Sequence, residues 1–212
     1  MKPPPRPLPP SSARLPDTMH RRELLNLLEQ YSSRFMEEAI FTRRAIDFVH
    51  HHDNVFDRHL LPGHVTGSTW VISPDREYVL LLHHRKHGQW FQPGGHADDD
   101  ADVLRVALRE CAEETGLDPR HIKLIDPSVF DIDIHTIQAR HGDPQHDHID
   151  IRFIVEIDNR QPVPGNQESY AVRWFPLHQV LHYSNSRSTY RMLEKTRTLR
   201  GKRNQHATAF TG

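Results

Sequence analysis

The sequence carries one cysteine, Cys111, in 212 residues. No disulfide can form within the chain, a composition that fits a reducing compartment, so the cytoplasm is the expected location. Nothing in it approaches the run of about 18 apolar residues that a membrane helix needs, and Met1-Lys2 leads into prolines instead of the apolar stretch of a secretory signal. No membrane partner is expected. An excess of either charge is also missing: 28 acids face 27 bases, so the salt-dependent grip on polyphosphate backbones that marks a basic domain is not favoured, and neither is nucleic acid as a partner. Apolar content is lean at 36%, yet sufficient for one core, and the length suits one domain with extensions.

Prolines at 3, 4, 5, 7, 9, 10 and 16 lock too many φ angles for helix or strand. Residues 1–18 therefore read as a disordered leader. It is either upstream of a true start at Met19 or a proline-rich docking segment. From 19 to 62 the apolar residues Leu24, Leu28, Tyr31, Phe41, Ala45, Phe48 and Val49 recur at helical intervals, which predicts two helices in an N-terminal extension. Beyond Pro62-Gly63, residues 63–200 interleave strands and helices without a βαβ period. The expected fold is α/β in the α+β sense, a mixed sheet between helices. Strands are predicted over 65–72, 77–84, 121–137, 148–157 and 170–175. Helices are predicted over 101–115, capped by the acids 98–100 and ended by Gly116, and over most of 176–199; residues 201–212 read as a flexible tail.

The helix before Gly116 holds Glu110, Glu113 and Glu114 at three- and four-residue spacing, so the three carboxylates share its last two turns. Like charges so placed repel by about 0.2–0.5 kcal/mol per pair, and the helix dipole penalises acids in the final turn by about 0.3–1 kcal/mol. A hard divalent cation, Mg²⁺ or Mn²⁺, relieves both costs because it takes carboxylate oxygens and can share them with substrate phosphates. The plainer alternative is a solvated acidic face neutralised by Arg109, Arg120 or Lys123.

The string Gly95, thirteen residues, then Arg109-Glu110-Cys111-Ala112-Glu113-Glu114-Thr115-Gly116-Leu117 resembles the Nudix box. The resemblance extends with less specificity over 63–182. One position departs from it: Ala101 stands where the box has its first glutamate, flanked by Asp100 and Asp102. The resemblance implies hydrolysis of a small-molecule nucleoside diphosphate derivative by water attack at phosphorus. It implies Glu110, Glu113 and Glu114 as metal ligands, with Glu110 alternatively the base, Arg109 orienting Glu110, and Gly95 leaving room for a close backbone turn. Glu168, in the loop before the last strand, is a candidate for the additional acid that completes many such sites.

His146, His148, Asp150 and Arg152 alternate along one strand and share a face, and His96 follows the box glycines. His96, His148, Asp150 and Arg152 are candidates for substrate contact; ordinary sheet packing and a second metal are the alternatives. His50-His51-His52 and His83, His84 and His87 read as helix-end and hairpin residues. Residues 20–52 fit a lid, a homodimer contact or a specificity element equally well. The competing class of function is a non-catalytic nucleotide-sensing module, which Ala101 favours and the costly glutamate cluster disfavours.

Overall fold

The computed structural model of the protein describes residues 17–209 apart from 141 and 143, with side chains described over 21–199. Most of the predicted leader and the last three residues of the predicted tail lie outside the described residues. Helices α1 (Asp17–Gln30) and α2 (Met36–His51) precede strands β1 (Gly63–Ile72), β2 (Tyr78–His84), β3 (Gln89–Phe91) and β4 (Gly94–His96). After α3 (Val103–Thr115) come β5 (Lys123–Ile137), β6 (His146–Glu156), β7 (Ser169–Pro176) and α4 (Arg187–Ala209).

The seven strands form one mixed sheet in the order β3-β2-β1-β6-β5, with β4 also on β1 and β7 also on β2. β1 and β6 run parallel over ten paired residues, from Gly63 opposite Asp147 to Ile72 opposite Glu156. Every residue of β1 is buried, as a strand covered on both faces must be. Its odd-numbered side takes α3 at very close range: a Cβ on Gly67 would lie 2.8 Å from the Val103 carbonyl oxygen, so only glycine lets the helix axis approach this strand. Its even-numbered side faces α4, where the Trp70 indole N–H donates to Thr196 Oγ1 at 2.9 Å. The run Val79–Leu82 is buried throughout, as its lack of alternation predicts.

Helices α1 and α2 are an extension in sequence and not in packing. Leu24, Leu28, Ala45 and Val49 join Val65, Val103, Val106, Ile149 and Ile151 in one buried apolar cluster. Other expectations are corrected in detail. The N-cap of α3 is Asp102, whose side chain accepts from the Arg105 N–H, and not the acids 98–100. Gly116 ends that helix with φ 70°, as expected. The last helix starts only at Arg187, after a 3₁₀ turn at Val180–His182, and it continues to Ala209, so 201–209 are helical and not a tail.

Where α2, β5, β6 and α4 meet, charge is buried. Asp131, wholly buried, accepts from Arg191 at 3.0 Å, Lys195 at 2.8 Å and Arg152 at 3.2 Å. Burial alone would raise its pKa, but Arg152, Lys195 and Arg191 outweigh it and hold the carboxyl below the ordinary range. Glu38, equally buried, takes Lys195, the Tyr31 hydroxyl and the Ile132 backbone N–H, which ties α1 and α2 to the sheet edge. Removing one partner from such a set costs more than the set contributes, because the remaining charges stay buried without a counter-ion. Asp131→Asn is expected to destabilise the chain by about 3–5 kcal/mol, a fall in melting temperature of about 6–20 °C at this chain length. Thermal unfolding followed by circular dichroism checks it, and an unchanged melting temperature would refute the account.

Candidate active site

The site grows from one short segment, Gly94-Gly95, set against the last turns of α3. The Gly94 backbone N–H donates to the Glu114 carboxylate at 2.8 Å. A Cβ on Gly95 would sit 2.4 Å from a Glu110 carboxylate oxygen, so glycine is required there for the backbone to pass the acid, as expected for this position. β1 fixes the segment by pairing Gly67 with Gly95 and Ser68 with Gly94.

The three glutamates of α3 do not share one environment. Glu114 is 6% exposed and stands over the apolar interior beside Cys111 and Thr115. Glu110 is mostly buried, with its side chain 15% exposed, whereas the Glu113 side chain is 57% exposed. Burial pushes the Glu114 carboxyl up to about 8; the Gly94 N–H opposes the shift, and Glu110, Glu168 and Glu113 add to it by repulsion. Burial also raises Glu110, against the pull of Arg109 and with the repulsion of Glu113 and Glu168. Desolvation and like charge thus act together on the acids that face inward.

Arg109 is the one cation in direct contact with this group among the described residues. It reaches Glu110 at 2.8 Å and Glu113 at 3.6 Å, and it donates to the His96 carbonyl at 3.1 Å. Glu168, the acid expected from outside the helix, is brought beside Glu114. The ligand atoms of Glu168, Glu114 and His84 all fall within 4.8 Å of one another. His84 was read as a hairpin residue, yet it continues the side of β2 on which Leu80 packs against Cys111, and the period of two from Leu80 was the signal that places it here.

Around Ala101 neither neighbouring acid takes the place of the absent carboxylate. Asp100 is held by Arg105, with Nε at 2.8 Å, and Asp102 caps α3. Ala101 itself is 9% exposed and packs with the apolar cluster under α2 and α3.

The candidates on β6 separate. Arg152, 3% exposed, spends its guanidinium on Asp150 at 2.7 Å, Asp131 at 3.2 Å and Asp133 at 3.2 Å. Asp150 also accepts from Thr66 at 3.1 Å and Ser68 at 2.9 Å. The structure does not open them to a ligand as the substrate contact expected of them requires: Asp150 and Arg152 are 4% and 3% exposed and are paired with one another and with Asp131, Asp133, Thr66 and Ser68. His96 and His148 stand apart from this network, in a group of histidines at the N-terminal ends of β1 and β6.

The sequence model of the NUDIX domain matches residues 62–195 of the chain. A probable DHNTP pyrophosphohydrolase of Lactococcus lactis subsp. cremoris is 26% identical over 98 residues, 46% of this chain, and the match spans 56% of that relative's length. The asymmetrical bis(5'-nucleosyl)-tetraphosphatase of Mus musculus is 30% identical over 132 residues, 59% of this chain and 77% of its own. Among solved structures, the E. coli dihydroneopterin triphosphate pyrophosphohydrolase superposes with a TM-score of 0.51 at 18% identity, covering 62% of this chain and 92% of that one, which establishes a shared fold. With the domain model matched over more than half of the chain, and Gly95 set against Glu110 of α3, the chain belongs to the Nudix family.

Proposed function

We propose that this protein is a divalent-metal-dependent pyrophosphohydrolase that cleaves the phosphoanhydride of a nucleoside diphosphate derivative. The observation that carries the reading is Glu114, a carboxylate buried at the negative end of a helix with Glu110 and Glu168 around it. Such a group is stable as an anion only beside a positive charge, and no Lys or Arg is paired with it among the described residues. Hard oxygen donors in this number suit Mg²⁺ or Mn²⁺, so the residues fit the ion that the family implies.

Glu110, Glu113 and Glu114 would hold the ion, with Glu168 and His84 close enough to add a donor. When bound, it neutralises phosphate charge and acidifies a coordinated water. The chain's own residues do the rest. Arg109 fixes the rotamer of Glu110 through a planar fork. Glu168 or Glu110 accepts the proton of the attacking water as its oxygen bonds to phosphorus and the bridging P–O bond breaks. Gly94 and Gly95 keep the backbone flat against the acids so that a phosphate can lie over them. The relatives named for dihydroneopterin triphosphate and for bis(5'-nucleosyl) tetraphosphates support a substrate with a phosphate chain on a nucleoside or similar heterocycle.

Two outcomes test the reading. Glu114→Gln should leave the fold intact and lower Mg²⁺-dependent turnover of nucleoside diphosphate derivatives by about 10²–10⁴-fold, the equivalent of a few kcal/mol of charge stabilisation. Phosphate release across a panel of nucleotides, nucleotide sugars and dinucleotides measures this; turnover retained in the variant sinks the assignment, and tight ligand binding by the wild type without any product favours the sensing module. The second concerns pH. Because the folded pKa of Glu114 lies above its ordinary value, its contribution to stability is complete below about pH 4.5 and is lost as pH rises through about 8. In chelator, the melting temperature should fall over that window, Glu114→Gln should flatten the fall, and Mg²⁺ should reverse it in the wild type alone. Identical profiles for the two proteins would remove the buried-anion argument.

A further inference from the structure

Five histidines from four strands converge on the even-numbered face of the sheet, at the end of β1 away from Trp70. The parallel register sets His64 beside His148, and the antiparallel one sets His135 beside His148. The His64 ring lies 4.8 Å from His148, 5.0 Å from His146 and 5.1 Å from His96, measured between centroids; His146 and His148 are 5.2 Å apart, and His135 and His148 5.3 Å. His64 is 1% exposed.

Imidazoles packed this closely need partners for their ring nitrogens. Among the described residues both nitrogens of His64 and Nε2 of His148 are buried without a hydrogen bond, Leu60 offering His64 only a weak backbone contact. Leaving a buried polar atom so is destabilising. His146, by contrast, has its Nδ1 against the Pro144 carbonyl at 2.8 Å, which sets the N–H there and leaves Nε2 as a free lone pair. A backbone carbonyl that fixes the tautomer in this way is the usual second contact of a metal-binding histidine. One ring nitrogen from each of His64, His146 and His148 falls within 4.8 Å of the other two. Tetrahedral binding at about 2.0–2.1 Å requires nitrogens about 3.3 Å apart, so small side-chain rotations close the site.

We propose that His64, His146 and His148 form a site for a late first-row divalent cation, Zn²⁺, separate from the carboxylate site on α3. Neutral imidazole is the ligand such ions prefer, whereas Mg²⁺ prefers oxygen. Burial, with neighbouring imidazoles adding to it, lowers His64 and His96 to about 4 and His148 to about 2. A cation would take one lone pair of His64 and leave its N–H for the Leu60 carbonyl, relieving both orphaned atoms. His96, 5.1 Å from His148, is the nearest source of a fourth ligand. The site does not depend on hydrolysis at the carboxylates, and hydrolysis does not depend on it.

The test uses the full chain without an affinity tag, stripped with chelator and titrated with Co²⁺ for its visible absorption and with Zn²⁺ by calorimetry. One equivalent of Zn²⁺ should bind with micromolar or tighter affinity, and Co²⁺ should give the intense bands of a tetrahedral site. His146→Ala and His148→Gln should each weaken Zn²⁺ by at least the about 10–100-fold that loss of a supporting contact costs. Replacing His50, His51 and His52 together by Ala, or Glu114 by Gln, should leave the affinity unchanged. Absence of saturable binding overturns the proposal, as does binding that survives both cluster variants or is lost in Glu114→Gln, which would put the ion on the carboxylates. Should His148→Gln fail to fold, His146→Ala, a partly exposed position at the strand end, decides alone.

Discussion

The ten-residue parallel register of β1 and β6 is the constraint on which the rest of the molecule depends. Residues of equal parity on the two strands share a face, so Val65, Gly67 and Thr69 are aligned with Ile149, Ile151 and Phe153, while His64, Thr66 and Ser68 are aligned with His148, Asp150 and Arg152. The first set makes an apolar bed for α3 and for the N-terminal helices. The second makes a polar interior that no apolar helix could cover. α4 covers part of it with Arg191, Lys195 and Thr196, each of which ends on a polar partner beneath it. A slip of one residue in this register would place the charges against the apolar bed.

Burying so much charge is not a route to high stability, because desolvation consumes most of what the ion pairs return. What the network does is define a unique arrangement: Asp131 accepts three cations from two elements, and any other docking of α4 leaves some of them unpaired. The carboxylates of α3 show the same physics with the opposite outcome. There the acids outnumber the cations, Arg109 reaches Glu110 and Glu113 only, and Glu114 keeps a proton affinity far above that of a free carboxylate. In the first cluster each buried carboxylate is paired with at least one cation. In the second, Glu114 has no Lys or Arg paired with it among the described residues.

Much of this was legible in the sequence, and the boundary has physical causes. The box on α3 depends on spacing along one helix, so Arg109, Glu110 and Glu114 could be placed without a fold, as could Gly95 and the mixed sheet itself. Glu168 was legible only as an acid in the right loop. Asp131, Glu38 and Lys195 were not visible because their meaning comes from contacts far apart in the chain, and an isolated lysine in a helix reads as solvent-facing. Arg152 misled for the same reason: alternation put it on a polar face, but only the pairing of β6 with β5 reveals that Asp131 and Asp133 bind it in the interior. β3 and β4, three residues each, are too short for any period to declare itself. The cap of α3 moved to Asp102 since neighbouring acids compete for it on geometry that spacing does not resolve.

β4, only three residues long, joins both candidate centres. Gly94 gives its N–H to Glu114, Gly95 clears the space that Glu110 fills, and the His96 carbonyl takes the Arg109 guanidinium. The His96 ring turns to the other face and meets His64 and His148. Alternation along a strand accounts for this: successive residues point to opposite sides, so with Gly95 against Glu110 the next side chain, His96, is sent to the face of the histidine group. The glutamates of α3 and the group around His64 thereby lie on opposite faces of one sheet, with His84 as a nitrogen donor beside the carboxylates. Ions of different hardness can sort between them by ligand chemistry alone, with no gate or moving part. Ala101, where the box has its first glutamate, packs in the apolar cluster with Val65, Val103 and Ile149, so its substitution leaves the imidazole group as it is.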